Sequence, residues 1–226
     1  MPKADRAGHA PPPLGGDTSA RYPLVLLSIL ALWCVALGIA PQYRQDWLLE
    51  NMLVVVAVPI LVATYRSLRF SNAAYSCLFA FFMLHEVGAH YTYSEVPYDA
   101  WMRSLSGTTV SALLGLTRNH FDRLVHFSYG ALMLPVAVEI FEARAKPSGM
   151  WRFLMPVLFL ASHGAIYEVI EWLAAVQFGG NLGLAYVGTQ GDVWDAQKDM
   201  ALVMTGAVLS MTVLTVMRRR KGGARR

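Results

Sequence analysis

Apolar residues arrive along the chain in six blocks, at about 23–40, 47–64, 73–90, 121–141, 151–173 and 196–217, and most charged positions fall between them or at their ends. Each block is close to the roughly 20 residues a helix needs to cross hydrocarbon. A soluble chain of this length would instead interleave polar and apolar positions to cover a single core. The pattern predicts an all-α, polytopic membrane bundle of about six transmembrane helices over residues 23–217. Residues 1–22, with Pro11-Pro12-Pro13 and Gly15-Gly16 and no apolar periodicity, read as a disordered cytoplasmic tail, and residues 218–226 as a basic cytoplasmic tail. A cleaved leader ending at Gly38-Ile39-Ala40 would place Pro41 just after the cut, which disfavours it. The long connections are expected at 91–120 and 174–195.

Composition supports the membrane reading. Of 226 residues, 55% are hydrophobic and only 15% charged, against about 25% charged in an ordinary soluble domain. With 10 Phe, 10 Tyr and 6 Trp the bulk of the chain has too much apolar surface to stay solvated without folding. The net charge of +4 does not indicate nucleic acid, because the densest basic run, Arg218-Arg219-Arg220-Lys221 with Arg225 and Arg226, directly follows an apolar block. There it holds a helix end on the cytoplasmic side. Cys34 and Cys77 lie within apolar blocks at no metal-binding or paired spacing, and read as small buried hydrophobes.

Charge also orients the chain. With both termini cytoplasmic, Lys3, Arg6, Arg21, Arg66, Arg69, Arg144, Lys146, Arg152 and the six C-terminal positives share that side, and Arg44, Arg103, Arg118, Arg123 and Lys198 remain elsewhere. That bias fits an even number of spans. Among the acids only Asp5, Asp17, Glu139 and Glu142 fall on the cytoplasmic half. The chemistry is therefore expected on the outer side.

Four outer helix ends carry closely spaced ionisable groups. His85, Glu86 and His90 end the third block; His120, Asp122 and His126 open the fourth; His163, Glu168 and Glu171 lie toward the outer end of the fifth; Asp192, Asp195 and Asp199 begin the sixth. Residues three or four apart share a helix face, which pairs Glu86 with His90, Asp122 with His126, Glu168 with Glu171 and Asp195 with Asp199. His85 and His90 lie about 140° apart on an ideal helix, so both can serve one ion only if the helix breaks, and Gly88 would permit a break. His163, the deepest member, needs a partner in the bundle interior.

Imidazoles and carboxylates on facing helices suit a divalent transition metal, zinc first and then non-haem iron or manganese. His85, His90, His120, Asp122, His126, His163, Glu171, Asp192, Asp195 and Asp199 are the candidate ligands or their supports. Glu86 and Glu168 are the candidate general bases, with nothing in the spacing selecting between them. Two other readings use the same groups: a structural network in which Arg118, Arg123 and Lys198 neutralise the acids, and a proton or ion pathway. His9 reads as solvated. Tyr91, Tyr93, Tyr98, Trp101, Trp172, Tyr186 and Trp194 read first as an outer interfacial belt. The glycine-rich stretch 179–191 is a weak phosphate signature, since no lysine follows at P-loop spacing, and Asp192 reads as a helix cap.

The segments HEVGAHYTYSEVPYDAW (85–101), NHFDRLVHFSYG (119–130), YEVIEWLAA (167–175) and GTQGDVWDAQKDM (188–200) resemble the motifs of the YjdF-like bacterial inner-membrane proteins, from residue 24 to about 215. The resemblance implies a multi-span inner-membrane protein and carries no activity with it. More loosely, the order Asp122, His126, Phe127, Glu168, Glu171, Asp195, Asp199 is similar to that of VanZ-like proteins, which are associated with glycopeptide tolerance and envelope effects. His85, His90, His120 and His163 depart from that layout. Together these readings lead us to expect a metal-dependent hydrolase acting on a lipid or lipid-linked envelope substrate. The alternative is a proton-coupled transporter or envelope-tolerance factor built on the same cluster. Membrane lipids are the expected partners and nucleic acid is not.

Overall fold

The computed structural model describes residues 19–180, 183 and 187–223. Among these the chain forms nine helices and no strand: α1 (Arg21–Gly38), α2 (Arg44–Glu50), α3 (Met52–Thr64), α4 (Asn72–His90), α5 (Tyr98–Ser106), α6 (Val110–Leu114), α7 (Phe121–Arg144), α8 (Trp151–Phe178) and α9 (Asp195–Gly223). Five stretches are long and apolar enough to cross a membrane: α1, α2 with α3 over Arg44–Thr64, α7, α8, and α9 as far as Arg220. The sixth, α4, has 19 residues, about 28 Å at the usual helical rise, and carries His85, Glu86 and His90 in its last turns. The chain is a multi-pass helical membrane bundle, and its six spans coincide with the six apolar blocks.

Boundaries differ in detail. The first helix begins at Arg21, two residues before the block, and the rest of the expected N-terminal tail, up to residue 18, lies outside the described residues. At the other end α9 continues through Arg218, Arg219 and Arg220, so these arginines form its last turns rather than a separate tail. The connection at 91–120 is not a bare loop, because it contains α5 and α6, closed at their C-termini by Gly107 (φ 77°) and Gly115 (φ 65°). A left-handed residue there costs glycine little, and it satisfies the last carbonyls of each short helix.

Helix α7 is the hub, packed against α4, α8 and α9, while α1 lies against α4 and α9 also against α8. Its most apolar stretch is also the most buried of the five. A serine ties α4 to this hub. The Ser71 hydroxyl accepts from the Ala74 N–H at the N-terminus of α4, and Ser71 itself donates from N–H and hydroxyl to Glu139 of α7 at 2.8 and 2.5 Å.

The tightest crossing is between α7 and α9. A side chain at Gly130 would overlap the Val203 carbonyl, and one at Gly206 would overlap the Phe127 carbonyl. Small residues that let backbones touch are the usual means of packing helices in lipid, where the solvent offers no hydrophobic drive. Gly130 is one turn from His126 on α7, and Gly206 is two turns from Asp199 on α9. The close crossing therefore sets the spacing of the polar ends above it.

Candidate functional site

Three helices bring a carboxylate-rich cluster together. Asp122 and His126, one turn apart on α7, meet Asp199 of α9, and one ligand-type atom from each lies within 4.8 Å of the other two. His126 Nε2 stands 3.4 Å from Asp122 Oδ1 and 3.7 Å from Glu168 Oε1 of α8. Glu171, one turn beyond Glu168, is buried within electrostatic reach of Asp122, Glu168 and Asp199. Two of the four same-face pairs expected from helical spacing, Asp122 with His126 and Glu168 with Glu171, stand in this cluster.

Glu50, at the end of α2, completes the cluster. It is buried, accepts a hydrogen bond from the Tyr167 hydroxyl at 3.1 Å and interacts electrostatically with Asp122 and His126. Sequence reasoning missed it although Asp46 and Glu50 stand four residues apart on α2, the same one-face acid pairing as Asp195 and Asp199, and both are buried. The available signal was that acid pair leading an apolar run.

The cations hold one edge of the cluster. Arg118 donates to Asp195 at 2.6 Å, and Arg123 donates to Asp192 and, at 3.2 Å, to Asp195. Lys198 donates to Asp192 at 2.6 Å. Asp192 also accepts from the Trp194 N–H just ahead of α9, at 3.1 Å. In this loop position its carboxyl is held well below the usual carboxylate range, first by the Lys198 ammonium and then by the Trp194 N–H and Arg123. The network reading thus describes Asp192 and Asp195. Among the described residues no Lys or Arg comes within ion-pair distance of Asp122, Glu168, Glu171, Asp199 or Glu50. Asp199 Oδ1 and Glu168 Oε1 are buried without a hydrogen-bond partner.

Two cavities flank the cluster. One, of about 250 Å³, is bounded by Asp122 and His126 together with His85, Tyr129, His163 and mostly apolar side chains such as Leu53, Phe81 and Ile170. The other, of about 300 Å³, is bounded by Glu168, Glu171 and Asp199 together with Asp192 and Asp195. The Asp122–His126–Asp199 group stands where an apolar chamber meets an acidic one.

A family model described as "Predicted membrane protein (DUF2238)" matches residues 22–220, nearly the whole described chain. The chain belongs to this family. It is similar to the inner membrane protein YjdF of Escherichia coli (strain K12), 35% identical over 202 residues that cover 87% of this chain and 92% of that protein. The likeness seen in the four motif segments is borne out over the full bundle. No solved structure matches the chain.

The remaining predicted residues of this DUF2238 chain sit around the cluster rather than in it. His85 is buried, with Nδ1 against the Tyr93 hydroxyl and its ring stacked on Phe81. His163 Nδ1 pairs with the Tyr129 hydroxyl at 2.8 Å. Both face the apolar cavity, each with one nitrogen engaged by a tyrosine, although His163 is itself exposed rather than enclosed in the bundle interior. His90 turns to α1, with Nδ1 2.7 Å from the Leu37 carbonyl, and His120 lies against the Arg118 carbonyl at 2.8 Å and beside Arg123. Glu86 is fully buried and faces the Cys34 thiol of α1, so it and His90 look away from the helices that carry His126.

Gly88 does not break α4, which runs intact to His90. The Tyr93 ring lies so close to Gly88 that a Cβ there would come within 2.5 Å of it. Thr92 and Tyr93 both take left-handed backbone angles (φ 55° and 52°), which folds the chain back and brings the Tyr93 hydroxyl to His85. Tyr93 and Tyr98 therefore belong to the interior, Tyr98 receiving the His120 N–H at 3.0 Å. Trp101, Trp172 and Trp194 are exposed, as an interfacial belt requires, and Tyr186 lies outside the described residues.

Proposed function

We propose that the Asp122, His126, Asp199 and Glu168 group binds a divalent metal ion in an inner-membrane protein whose termini are cytoplasmic and whose site opens on the outer side. The observation that carries this reading is the convergence of three ligand-type side chains from α7 and α9 within 4.8 Å. The 3.4 Å between His126 Nε2 and Asp122 Oδ1 is longer than a good N–H···O bond. It matches the roughly 3.3 Å separating two ligands that each lie about 2.0–2.1 Å from one tetrahedral ion. An ion would also satisfy the unpartnered oxygens of Asp199 and Glu168 and offset the repulsion of neighbouring acids in a poorly hydrated place. One imidazole among several carboxylates makes a harder donor set than the sequence suggested, which favours manganese or iron alongside zinc.

For chemistry, the reading is hydrolysis of an ester, amide or phosphoester in a lipid or lipid-linked envelope substrate. A divalent ion held by these residues would polarise the substrate oxygen and acidify a water beside it. With Glu168 on the ion, Glu171, buried one turn beyond it and outside any Lys or Arg ion pair among the described residues, would be the proton acceptor. The apolar cavity suits an acyl or isoprenoid chain and the acidic one a polar head group. Elemental analysis of the detergent-purified chain tests the metal centre: about one equivalent is expected in the wild type and near background in Asp199→Asn. Background metal in both would overturn it.

A second reading rests on the two cavities that meet at the cluster. A histidine–carboxylate chain between an apolar and an acidic chamber is also the layout of a proton path. It predicts proton flux in proteoliposomes that survives metal chelation, whereas the metal reading predicts no such flux.

A further inference from the structure

A cleft of about 300 Å³ opens between α7, α8 and α9 at the bundle end opposite the candidate site, with Arg152, Arg218 and Arg219 at its rim and apolar side chains including Phe153 and Met211 on its walls. Glu142 of α7 braces two of these arginines: Arg218 donates to it at 2.6 and 3.4 Å, and Arg152 lies 3.5 Å from it. Arg219 has no acidic partner within ion-pair distance among the described residues. Three guanidiniums against one carboxylate leave a local excess of positive charge, arranged in planar forks that match phosphate oxygens.

We infer that this cleft binds one anionic phospholipid, its phosphate held by Arg152, Arg218 and Arg219 and the first methylenes of its chains against Phe153 and Met211. The position decides between a lipid and a soluble anion. The cleft lies between membrane-spanning helices and pairs basic residues with an apolar wall, the arrangement by which basic interhelical pockets take up acidic lipid head groups. A free phosphate would leave that apolar wall unused. Glu142 orients two of the arginines before the lipid arrives and so reduces the ordering cost of binding. The site is independent of the metal reading, since none of its residues belongs to that cluster.

Native mass spectrometry of the full chain, loaded with phosphatidylglycerol, cardiolipin or phosphatidylcholine, tests the assignment. Retention of the anionic lipids should exceed that of phosphatidylcholine by about tenfold or more. The double variant Arg152→Gln, Arg219→Gln should lose this preference, while Arg66→Gln, Arg69→Gln, which removes equal charge in the α3–α4 connection, should keep it. Met211→Trp, which fills the cleft without changing charge, should also lose it and covers the case in which the arginine variant fails to fold. Equal losses in both arginine variants would show a diffuse basic surface and overturn the site. Displacement of the lipid by millimolar inorganic phosphate would show a phosphate site and overturn the lipid.

Discussion

The Cβ that Gly130 lacks would fall on the carbonyl oxygen of Val203, so α7 and α9 touch through backbone one turn below His126. This contact is what brings an α9 acid to an α7 histidine. The obstructing atom is backbone, and no rotamer change relieves it. Gly130→Ala should therefore destabilise the protein by about 1–3 kcal/mol or more. Gly164→Ala should cost less, because its Cβ would meet only the Val203 side chain, at 3.2 Å. Unfolding in mixed detergent micelles measures both, and equal losses would argue against a backbone crossing at Gly130.

Asp195 is buried and its cations are Arg118 and Arg123. Arg118→Gln withdraws one of them from a buried carboxylate, and removing one partner of a buried pair costs about 3–5 kcal/mol when no second cation compensates. With Arg123 still present, the expected loss is about half of that. Lys198→Gln should change stability by less than about 1 kcal/mol, since Lys198 stands half-exposed in its pair with Asp192. Equilibrium unfolding of the two variants gives the comparison, and a larger loss in Lys198→Gln would reverse the assignment of roles.

Asp192 supplies a pH dependence of known sign. Its folded carboxyl is held below the ordinary value by Lys198, the Trp194 N–H and Arg123, whereas in the unfolded chain it titrates near 3.9. A depressed folded pKa contributes stability that is present above about pH 4 and is lost as the pH falls below it. The melting midpoint of the wild type should thus drop more steeply below about pH 4 than that of Asp192→Asn. Parallel curves would mean that the pairing is not formed in solution.

How much of this was legible in the sequence follows from what each signal encodes. The six spans were legible because hydrocarbon thickness imposes a block length, and Asp122–His126, Glu168–Glu171 and Asp195–Asp199 because helical periodicity places each pair on one face. What spacing does not encode is the order of helices around the bundle. His85, Glu86 and His90 share the last turns of α4, yet α4 lies between α1 and α7, so Glu86 and His90 turn to α1 while His85 turns toward the cavity. Glu50 shares a face with Asp46 on α2, but that it reaches the cluster depends on how α2 packs, which spacing does not encode. The left-handed turn at Thr92 and Tyr93 was hidden as well, because neither residue type favours it and the Gly88 slot that receives the ring lies in another element.

The central claim is that one imidazole, His126, and carboxylates from α7, α8 and α9 hold a single divalent ion. Pulsed electron paramagnetic resonance of the purified chain loaded with one equivalent of Mn²⁺ reads the ligand nitrogens directly. The arrangement predicts coupling to one histidine nitrogen, lost in His126→Gln and retained in His85→Gln and His163→Gln. A spectrum of fully hydrated Mn²⁺, or a coupling that survives His126→Gln, would contradict it.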